Sequence, residues 1–549
     1  MKKLYSILLI FLFTAHNCGN AVNTDGDFVI RLNQVGYLPD DIKTGVILST
    51  VPLDNLELEI IGLENGKMKY NPKFYKTEFK HGRYNYNYKF DFSGLKENGK
   101  YIVRAGDKTS YTFEIGNKVY GKLTESLLDF FKVQRCGYTD PLLHEVCHIA
   151  DATAIYDGDD TLNIKKDLTG GWHDAGDYTK FLNTTAYSTY LLLFAYEFAP
   201  DKFGFDNNNN NVADILEEAK IGLDWLLRCR YGDKLITQVQ DLRDHTVGWR
   251  MPEDDPLTYD RPAFAGIGKN LIGIYSATLA LASRIWKNKL NYPNFADTCL
   301  NTAVKYYSLK NSVPDIDSSG SGMYIDKNYK GKLALAAAEL FLSTGKRNYL
   351  EEAVSYADSA GSDYWWSWGD MNALAHYRLA HFQPRFSDYL KTSLDSFRDY
   401  SRKNLFELGV PLSWGTNHTL MGIALIDILY RDLTGDRQYD TLMAAQKDFI
   451  LGKNPWGISF VYGFGTKFTV NFHHQISYFK GKLPGGFAAG PIEKKIVDDF
   501  KIPYNDYDKL KEHQSSEIYY RDEKEDYITN EPTISSNAVA IFVYGNLSR

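Results

Sequence analysis

Between Gly170 and Phe181 the chain reads Gly-Gly-Trp-His-Asp-Ala-Gly-Asp-Tyr-Thr-Lys-Phe, which puts two carboxylates, one imidazole and three glycines within a dozen residues. Asp174 and Asp177 lie three apart, so a turn or a helix brings both to one side, and glycine lets the backbone come close to a ligand. Two carboxylates so placed can hold a water molecule for attack, and each shifts the proton affinity of the other. For this string alone the alternative is a Gly/Asp-rich loop closed by Asx turns. A second acidic stretch, Asp522 to Asn537, contains Glu531 and in isolation reads as a surface loop.

Metal chemistry is the next reading. Cys136, Cys147, His148 and His173 offer two thiolates and two imidazoles, the ligand set of a closed tetrahedral structural zinc site, while a Cys136 to Cys147 disulfide fits the same spacing. From Asp206 to Glu217, oxygen side chains at Asp206, Asn208, Asn210, Asp214 and Glu217 fall at positions 1, 3, 5, 9 and 12. That is the spacing of a calcium loop entering a helix, with Asn211 where the turn glycine is preferred. An asparagine-rich helix lead-in is the other reading.

Elements must position these groups. Residues 27–116 read as a β-sandwich of immunoglobulin type: Tyr84 to Phe92 alternates apolar and polar for nine residues, and Gly45 to Ser49, Leu56 to Leu63, Gly99 to Arg104 and Ser110 to Ile115 supply further short strands. Its expected role is to buttress a larger domain. Residues 118–549 read as helical, with apolar residues at three and four spacing in Val212 to Arg230, Leu271 to Trp286, Lys332 to Leu342, Met371 to Leu379, Leu420 to Tyr430 and Tyr439 to Leu451. Thr344-Gly345 and Thr434-Gly435 end two of these helices alike, which fits helix capping and also a repeated helical-hairpin array.

The 549 residues exceed one ordinary domain, and a formal net charge of -7 argues against a nucleic-acid binder. Aromatics make up 15% of the chain, including 40 Tyr and 9 Trp, which suits stacking on sugar rings as well as filling helix interfaces. Residues 1–22 read as an export signal: Met1-Lys2-Lys3 precedes an apolar run from Leu4 to Phe13 that is too short to span a bilayer. Cys18, shortly after that run, is a candidate lipid-anchor site, although Asn17 is not the small residue such processing favours. No later segment approaches the length of a transmembrane helix, so the expected location is exported: periplasmic, extracellular, or anchored as a bacterial lipoprotein.

Taken together, the two acidic stretches resemble the signatures of glycoside hydrolase family 9: Gly171-Trp172-His173-Asp174-Ala175-Gly176-Asp177-Tyr178, and Tyr520, Asp522, Tyr527, Glu531, Thr533, Asn537 and Ala538 at their spacing. Ile30 to Tyr37 resembles the start of the N-terminal immunoglobulin-like module of one subgroup, and Val212 to Ala219 and Ile450 to Pro455 are similar to further family landmarks. The resemblance implies an all-α (α/α)6 barrel after the sandwich, cutting β-1,4-linked glucans with inversion. It implies Asp177 as general base, Asp174 as its partner on the same water, and Glu531 as general acid, held protonated by an apolar or acidic setting to which Asp522 and Asp526 could contribute. It also favours zinc over the disulfide, and it implies no organic cofactor.

Two departures from the family pattern stand out. His473 fits, but Gln475 occupies the place of a sugar-facing arginine, and Lys330 and Lys332 after Tyr329 replace acidic residues, which suggests a less acidic cleft. Asp244-His245 to Trp249 lies where the family carries a sugar-binding His and Trp, and Arg261 is expected to orient that loop. The first functional reading is therefore an endo-acting β-1,4-glucanase taking a β-glucan polysaccharide or oligosaccharide. An exo-acting enzyme releasing glucose or glucosamine units from short β-1,4-oligosaccharides is the alternative, and an inactive glycan-binding surface protein is the third.

Overall fold

The computed structural model describes residues 28–54, 56–158, 160–162, 166–320, 326–505 and 507–548. The export signal and Cys18 lie outside the described residues. The N-terminal part is a sandwich of two antiparallel sheets. One sheet orders Phe28–Arg31, Thr44–Ser49, Tyr86–Asp91 and Phe74–Lys76; the other orders Met68–Tyr70, Leu58–Gly62, Gly99–Ala105 and Lys108–Thr109, with Phe113–Ile115 also on Gly99–Ala105. Successive side chains of a strand point to opposite faces, so Ile47 enters the sandwich core with Tyr88, Phe90, Ile60 and Val103. Its neighbours Val46 and Leu48 point the other way and join the core of the helical domain. The run Gly45 to Ser49 is apolar on both faces because both faces are covered.

From Gly121 onward, twelve helices of nine residues or more follow among the described residues. Six are buried nearly all round: Leu182–Phe198, Lys269–Asn288, Lys330–Thr344, Asn372–Ala380, Thr416–Thr434 and Ile534–Leu547. Of the six that alternate with them, Gly121–Gln134, Asp214–Arg228, Pro293–Ser308, Arg347–Ala360 and Ser387–Ser401 keep a face toward solvent, while Asp440–Ile450, covered by the sandwich, is buried at every residue but Thr441. A helix apolar on every side has to sit inside, and one with a single stripe outside. The inner helices touch in the order 182, 269, 330, 372, 416, 534 and back to 182 by their first residues, which closes an (α/α)6 ring. Gly345 and Gly435 end two inner helices in the left-handed conformation (φ 71° at each), each donating its N–H to the carbonyl four residues back.

Two features of this domain go beyond what periodicity alone picks out. Helices at 121–134, 182–198, 293–308, 347–360, 387–401 and 534–547 add to the six read from periodicity. A small six-stranded sheet of Ile155–Asp157, Asp160–Leu162, Lys180–Phe181, Arg230–Tyr231, Lys234–Val239 and Ala263–Gly266 lies among the helices. Its strand Lys180–Phe181 pairs with Gln238–Val239 and so fixes the exit of the Asp174–Asp177 loop.

The sandwich is bonded to the barrel by the Ile30 to Tyr37 segment. Gln34 donates its backbone N–H to Leu451 O (2.9 Å), Asn33 Nδ2 donates to Asp448 Oδ1 (2.9 Å), and Arg31 Nε donates to Pro455 O (2.8 Å). The C-terminal carbonyls of a helix lack intrahelical partners, and at the end of Asp440–Ile450 the sandwich supplies one, for Leu451 O, while Lys453 N and Phe460 N serve Asp448 O and Ile450 O.

Candidate active site

Loops entering the inner helices gather at one end of an (α/α)6 ring, and two of them carry the acidic motifs. The loop ahead of Leu182–Phe198 holds Asp174 and Asp177; the loop ahead of Ile534–Leu547 holds Glu531. They are joined directly. Ile534 N donates to Asp174 O (3.0 Å), and Gly176 N donates to the Glu531 carboxylate (3.2 Å). A Cβ on Gly176 would stand 2.1 Å from His473 O, so only glycine allows the backbone carrying His473 to close over this loop.

The three acids differ in surroundings. Asp174 is buried and accepts a hydrogen bond from Thr184 Oγ1. Burial pushes its carboxyl up to about 7, against the pull of that hydrogen bond and with help from the Asp177 charge. Asp177 reaches solvent, accepts from Thr179 N through Oδ1 (3.0 Å), and meets His245 Nε2 through Oδ2 (2.7 Å). That hydrogen bond pushes the His245 imidazole up to about 9. Glu531 is pushed up to about 8, by burial first and then by the Asp177 charge. The like charge raising Glu531 comes from Asp177 and Asp174, not from Asp522 or Asp526, whose carboxylates serve the backbone. Asp522 accepts from Val470 N and Asn471 N (2.9 Å to the latter), and Asp526 accepts from Ile528 N and Thr529 N.

His473 hydrogen-bonds Lys524 O through Nδ1 (2.7 Å), which fixes the proton on that nitrogen, and burial lowers its pKa so that the ring is neutral. Its ring meets Trp249 edge-on at 5.1 Å and Tyr527 at 5.8 Å. Trp249 in turn stacks on Tyr478 with centroids 4.8 Å apart and planes 3° from parallel, so that Tyr478 backs one face of the indole. Gln475 does not stand free in place of an arginine. Its Oε1 accepts from Arg250 N (2.8 Å) and its Nε2 donates to Gly248 O (3.4 Å), so the side chain fastens the loop that presents Trp249.

Tyr329 stands ahead of the inner helix Lys330–Thr344, with Lys269 Nζ 5.4 Å from its ring centroid. Lys332 corrects the expectation of a less acidic cleft at this residue. It is 2% exposed and paired with Asp326, so its charge is neutralised inside the barrel wall.

Sequence reading missed a buried charge network under the loop. Asp244 accepts from Tyr178 N (3.0 Å) and Arg250 Nη2 (2.6 Å), and Asp255 accepts from Arg250 Nε (2.8 Å) and pairs with His148 Nε2 (3.1 Å). Arg261 donates to Asp151 Oδ1 and to Tyr178 O, each at 2.7 Å, and so does orient this region. These partners are up to 110 residues apart in sequence, and no local pattern ties them together. Removing one partner of a fully buried pair leaves the other charge stranded. Arg261→Met is therefore expected to lower stability by about 3–5 kcal/mol, read as a shift in the urea midpoint with an unchanged slope.

The ligand atoms of Cys136, Cys147, His148 and His173 all lie within 4.8 Å of one another, and all four residues are buried. His148 Nδ1 and His173 Nε2 are 3.1 Å apart, Cys136 Sγ and His148 Nδ1 3.8 Å, and Cys147 Sγ and His173 Nε2 4.0 Å. A zinc ion with bonds of about 2.0–2.3 Å needs ligand separations of about 3.3–3.8 Å, so the quartet fits a closed tetrahedral ion. The cysteines are free thiols rather than a disulfide. The His148 contact with Asp255 supplies the carboxylate that commonly orients a metal-bound imidazole. This quartet is a candidate metal centre.

The calcium reading finds less support. Asp206, Asp214 and Glu217 form no comparable cluster among the described residues. Asn208 Nδ2 and Asn210 Nδ2 donate to the Glu217 carboxylate, and Asn207 donates to Asp214, so the loop satisfies its own acids.

Comparison with known proteins decides the family. The sequence model for glycosyl hydrolase family 9 matches residues 120–544, and that for the cellulase N-terminal Ig-like domain matches residues 26–110. The chain belongs to glycosyl hydrolase family 9. It is a glycoside hydrolase of cellulase type, with the sandwich-bearing architecture. Among its relatives is the xyloglucan-specific endo-beta-1,4-glucanase BoGH9A of Bacteroides ovatus, 26% identical over 585 residues, covering 94% of this chain and 93% of that protein. Endoglucanase D of Acetivibrio thermocellus is 25% identical, with 87% and 80% covered. A metagenome-derived family 9 endoglucanase of known crystal structure superposes with a TM-score of 0.81 at 26% identity, covering 95% of this chain and 99% of that one.

Proposed function

We propose that this family 9 enzyme is exported and cleaves β-1,4-glucosidic bonds within glucan chains, with inversion at the anomeric carbon. The observation carrying the assignment of roles is the hydrogen bond from Gly176 N to Glu531, which ties the single acid of one loop to the loop bearing Asp174 and Asp177. Asp177, partly open to solvent, is the general base. Asp174, buried and bonded to Thr184, helps position the same water through its remaining oxygen. Glu531, with its carboxyl pushed up to about 8, is the general acid.

The step balances as follows. The Glu531 proton passes to the glycosidic oxygen as the bond from that oxygen to the anomeric carbon breaks. A water oxygen bonds to the opposite face of that carbon, and Asp177 takes the water's proton. Both acids then return to their starting states by exchange with solvent. His473, neutral and held through Lys524, is the polar group that faces the sugar between the two, and Trp249, backed by Tyr478, supplies an aromatic face.

Zinc at Cys136, Cys147, His148 and His173 has a structural role in this reading. It supplies cross-linking of the segment before the catalytic loop to that loop, and no proton or bond change passes through it. An endo mode is favoured by the two relatives named above, both endoglucanases by name, while a cellobiosidase and a cellodextrinase are also among the similar proteins.

The test is hydrolysis of mixed-linkage β-glucan and cello-oligosaccharides, with viscosity, product sizes and the anomer first formed all followed. Early loss of viscosity and initial release of the α-anomer are expected. Single sugars without loss of viscosity would establish exo action instead, and a β-anomer would refute inversion.

A further inference from the structure

Two buried polar side chains beside the general acid take no part in the cleavage step. Tyr520 and Asn530 are both fully enclosed, and an enclosed polar group is costly unless its partners are in place. Asn530 Oδ1 accepts from the Tyr520 hydroxyl (2.6 Å), which also meets Thr469 Oγ1 (2.8 Å). Asn530 Nδ2 donates to Glu523 O (3.0 Å) and to Arg521 O. A planar amide with both donors and its acceptor engaged has a single orientation open to it.

The main chain at Asn530 is held as well. Its N–H donates to Asp526 O (3.1 Å), closing a turn in which the Asp526 carboxylate accepts from Ile528 N and Thr529 N, and its carbonyl accepts from His473 N (3.3 Å). Glu531 follows directly, and Pro532 after it restricts the Glu531 backbone to extended conformations. The acid therefore stands between a peptide gripped by Asn530 and a proline ring. The same grip reaches His473 by a second path: Asn530 Nδ2 holds the segment 521–523, and Lys524 O next to it bonds His473 Nδ1 (2.7 Å). Side chains that only filled the core could find partners anywhere. These two join the segments that carry Glu531 and His473.

We propose that Asn530, locked by the Tyr520 hydroxyl, is a positioning residue for the general acid, fixing the direction from which the Glu531 carboxyl reaches the leaving oxygen. The proposal rests on the assignment of Glu531 as the acid and deepens it. The bond from Gly176 N holds one oxygen of the carboxylate, and Asn530 fixes the backbone from which that side chain extends. A displacement of about 1 Å in a reacting group can cost about 10²-fold in rate. Without the Asn530 amide the peptide before Glu531 is free to rotate, and the proton stands off the glycosidic oxygen while Asp177, on the other loop, keeps its water.

The experiment compares kcat/KM of the full-length enzyme, Asn530→Ala, Tyr520→Phe and Glu531→Gln on a cello-oligosaccharide and on dinitrophenyl β-cellobioside. The dinitrophenolate leaves with the electron pair of the broken bond and needs no proton from the acid. On the oligosaccharide, Asn530→Ala is expected to lose about 10²-fold and Tyr520→Phe about tenfold. On the aryl glycoside each should lose less than about threefold, which doubles as the check on folding. Tyr520→Phe keeps the ring packed on Phe460 (centroids 4.9 Å apart), so it decides the matter if Asn530→Ala is unstable. Equal losses on the two substrates, or no loss on the oligosaccharide, would overturn the positioning role. If Glu531→Gln alone shows the selective loss, the role of Asn530 falls and the acid stands. If Glu531→Gln loses equally on both substrates, the acid assignment falls and the proposal with it.

Discussion

Glu531→Gln is expected to reduce kcat by about 10³-fold while the protein stays folded, because the substitution removes one transferable proton and keeps the shape and the hydrogen bond geometry at Gly176. The same carboxyl predicts the pH behaviour. A general acid works only while protonated, and burial with the Asp177 charge raises Glu531 to about 8. Wild-type kcat/KM should therefore persist through neutral pH and fall as pH rises through about 8. Stability should move the other way in the variant. A carboxyl raised on folding binds an extra proton in the folded state between its unfolded value, about 4.3, and about 8. Wild-type stability declines across that window as the proton is lost. The glutamine variant lacks the decline, so its melting temperature should gain on wild type as pH rises from about 4.5 to 8. Activity near wild type in Glu531→Gln, or a melting difference that does not change with pH, would remove Glu531 from the role of acid.

The largest effect on stability is expected at the Cys136, Cys147, His148 and His173 quartet. Metal bound by folded but not unfolded chain adds its binding free energy to folding. Prolonged chelation, or Cys136→Ser, should lower the melting temperature by about 10 °C or more, with one zinc per chain released on unfolding. Readdition of zinc should restore the chelated wild type. Cys229→Ser is the control: its thiol is buried away from the quartet and should leave the zinc content unchanged. Catalysis in the folded fraction should survive modest metal loss, because none of the three acids is itself a ligand of the metal, although Asp174 directly follows His173. A wild-type protein that holds no zinc and melts unchanged in chelator would refute the site.

Much of the candidate site was legible because its chemistry is compressed into short strings. Asp174 with Asp177, and Cys147 with His148, are adjacent or nearly so, and their types alone limit what they can do. Periodicity found helices with a one-sided stripe, such as Asp214–Arg228, and also several inner ones. It missed Leu182–Phe198 and Ile534–Leu547, which are apolar on every face and have no stripe to detect. The six-stranded sheet escaped because its strands run from two to six residues, too short for an alternation to emerge. The Asp151, Asp244, Asp255, Arg250 and Arg261 network could not be read, since each charge looks like ordinary surface until the fold buries it. Lys332 shows the same limit in reverse: its sequence position suggests cleft charge, and the barrel hides it against Asp326.

The junction at Arg31, Asn33 and Gln34 bears on how such an enzyme can be rearranged. The sandwich is translated first, yet the groups it offers complete the end of Asp440–Ile450, which emerges some four hundred residues later. It behaves as a preassembled wall of the barrel rather than as a detachable appendage. A chain cut between the two would bare Asp448 and the buried Lys447, together with the apolar surface that Val46 and Leu48 cover. Grafting a different N-terminal module onto this barrel therefore requires that the incoming module reproduce this short run of hydrogen-bonding residues as well as a linker of suitable length.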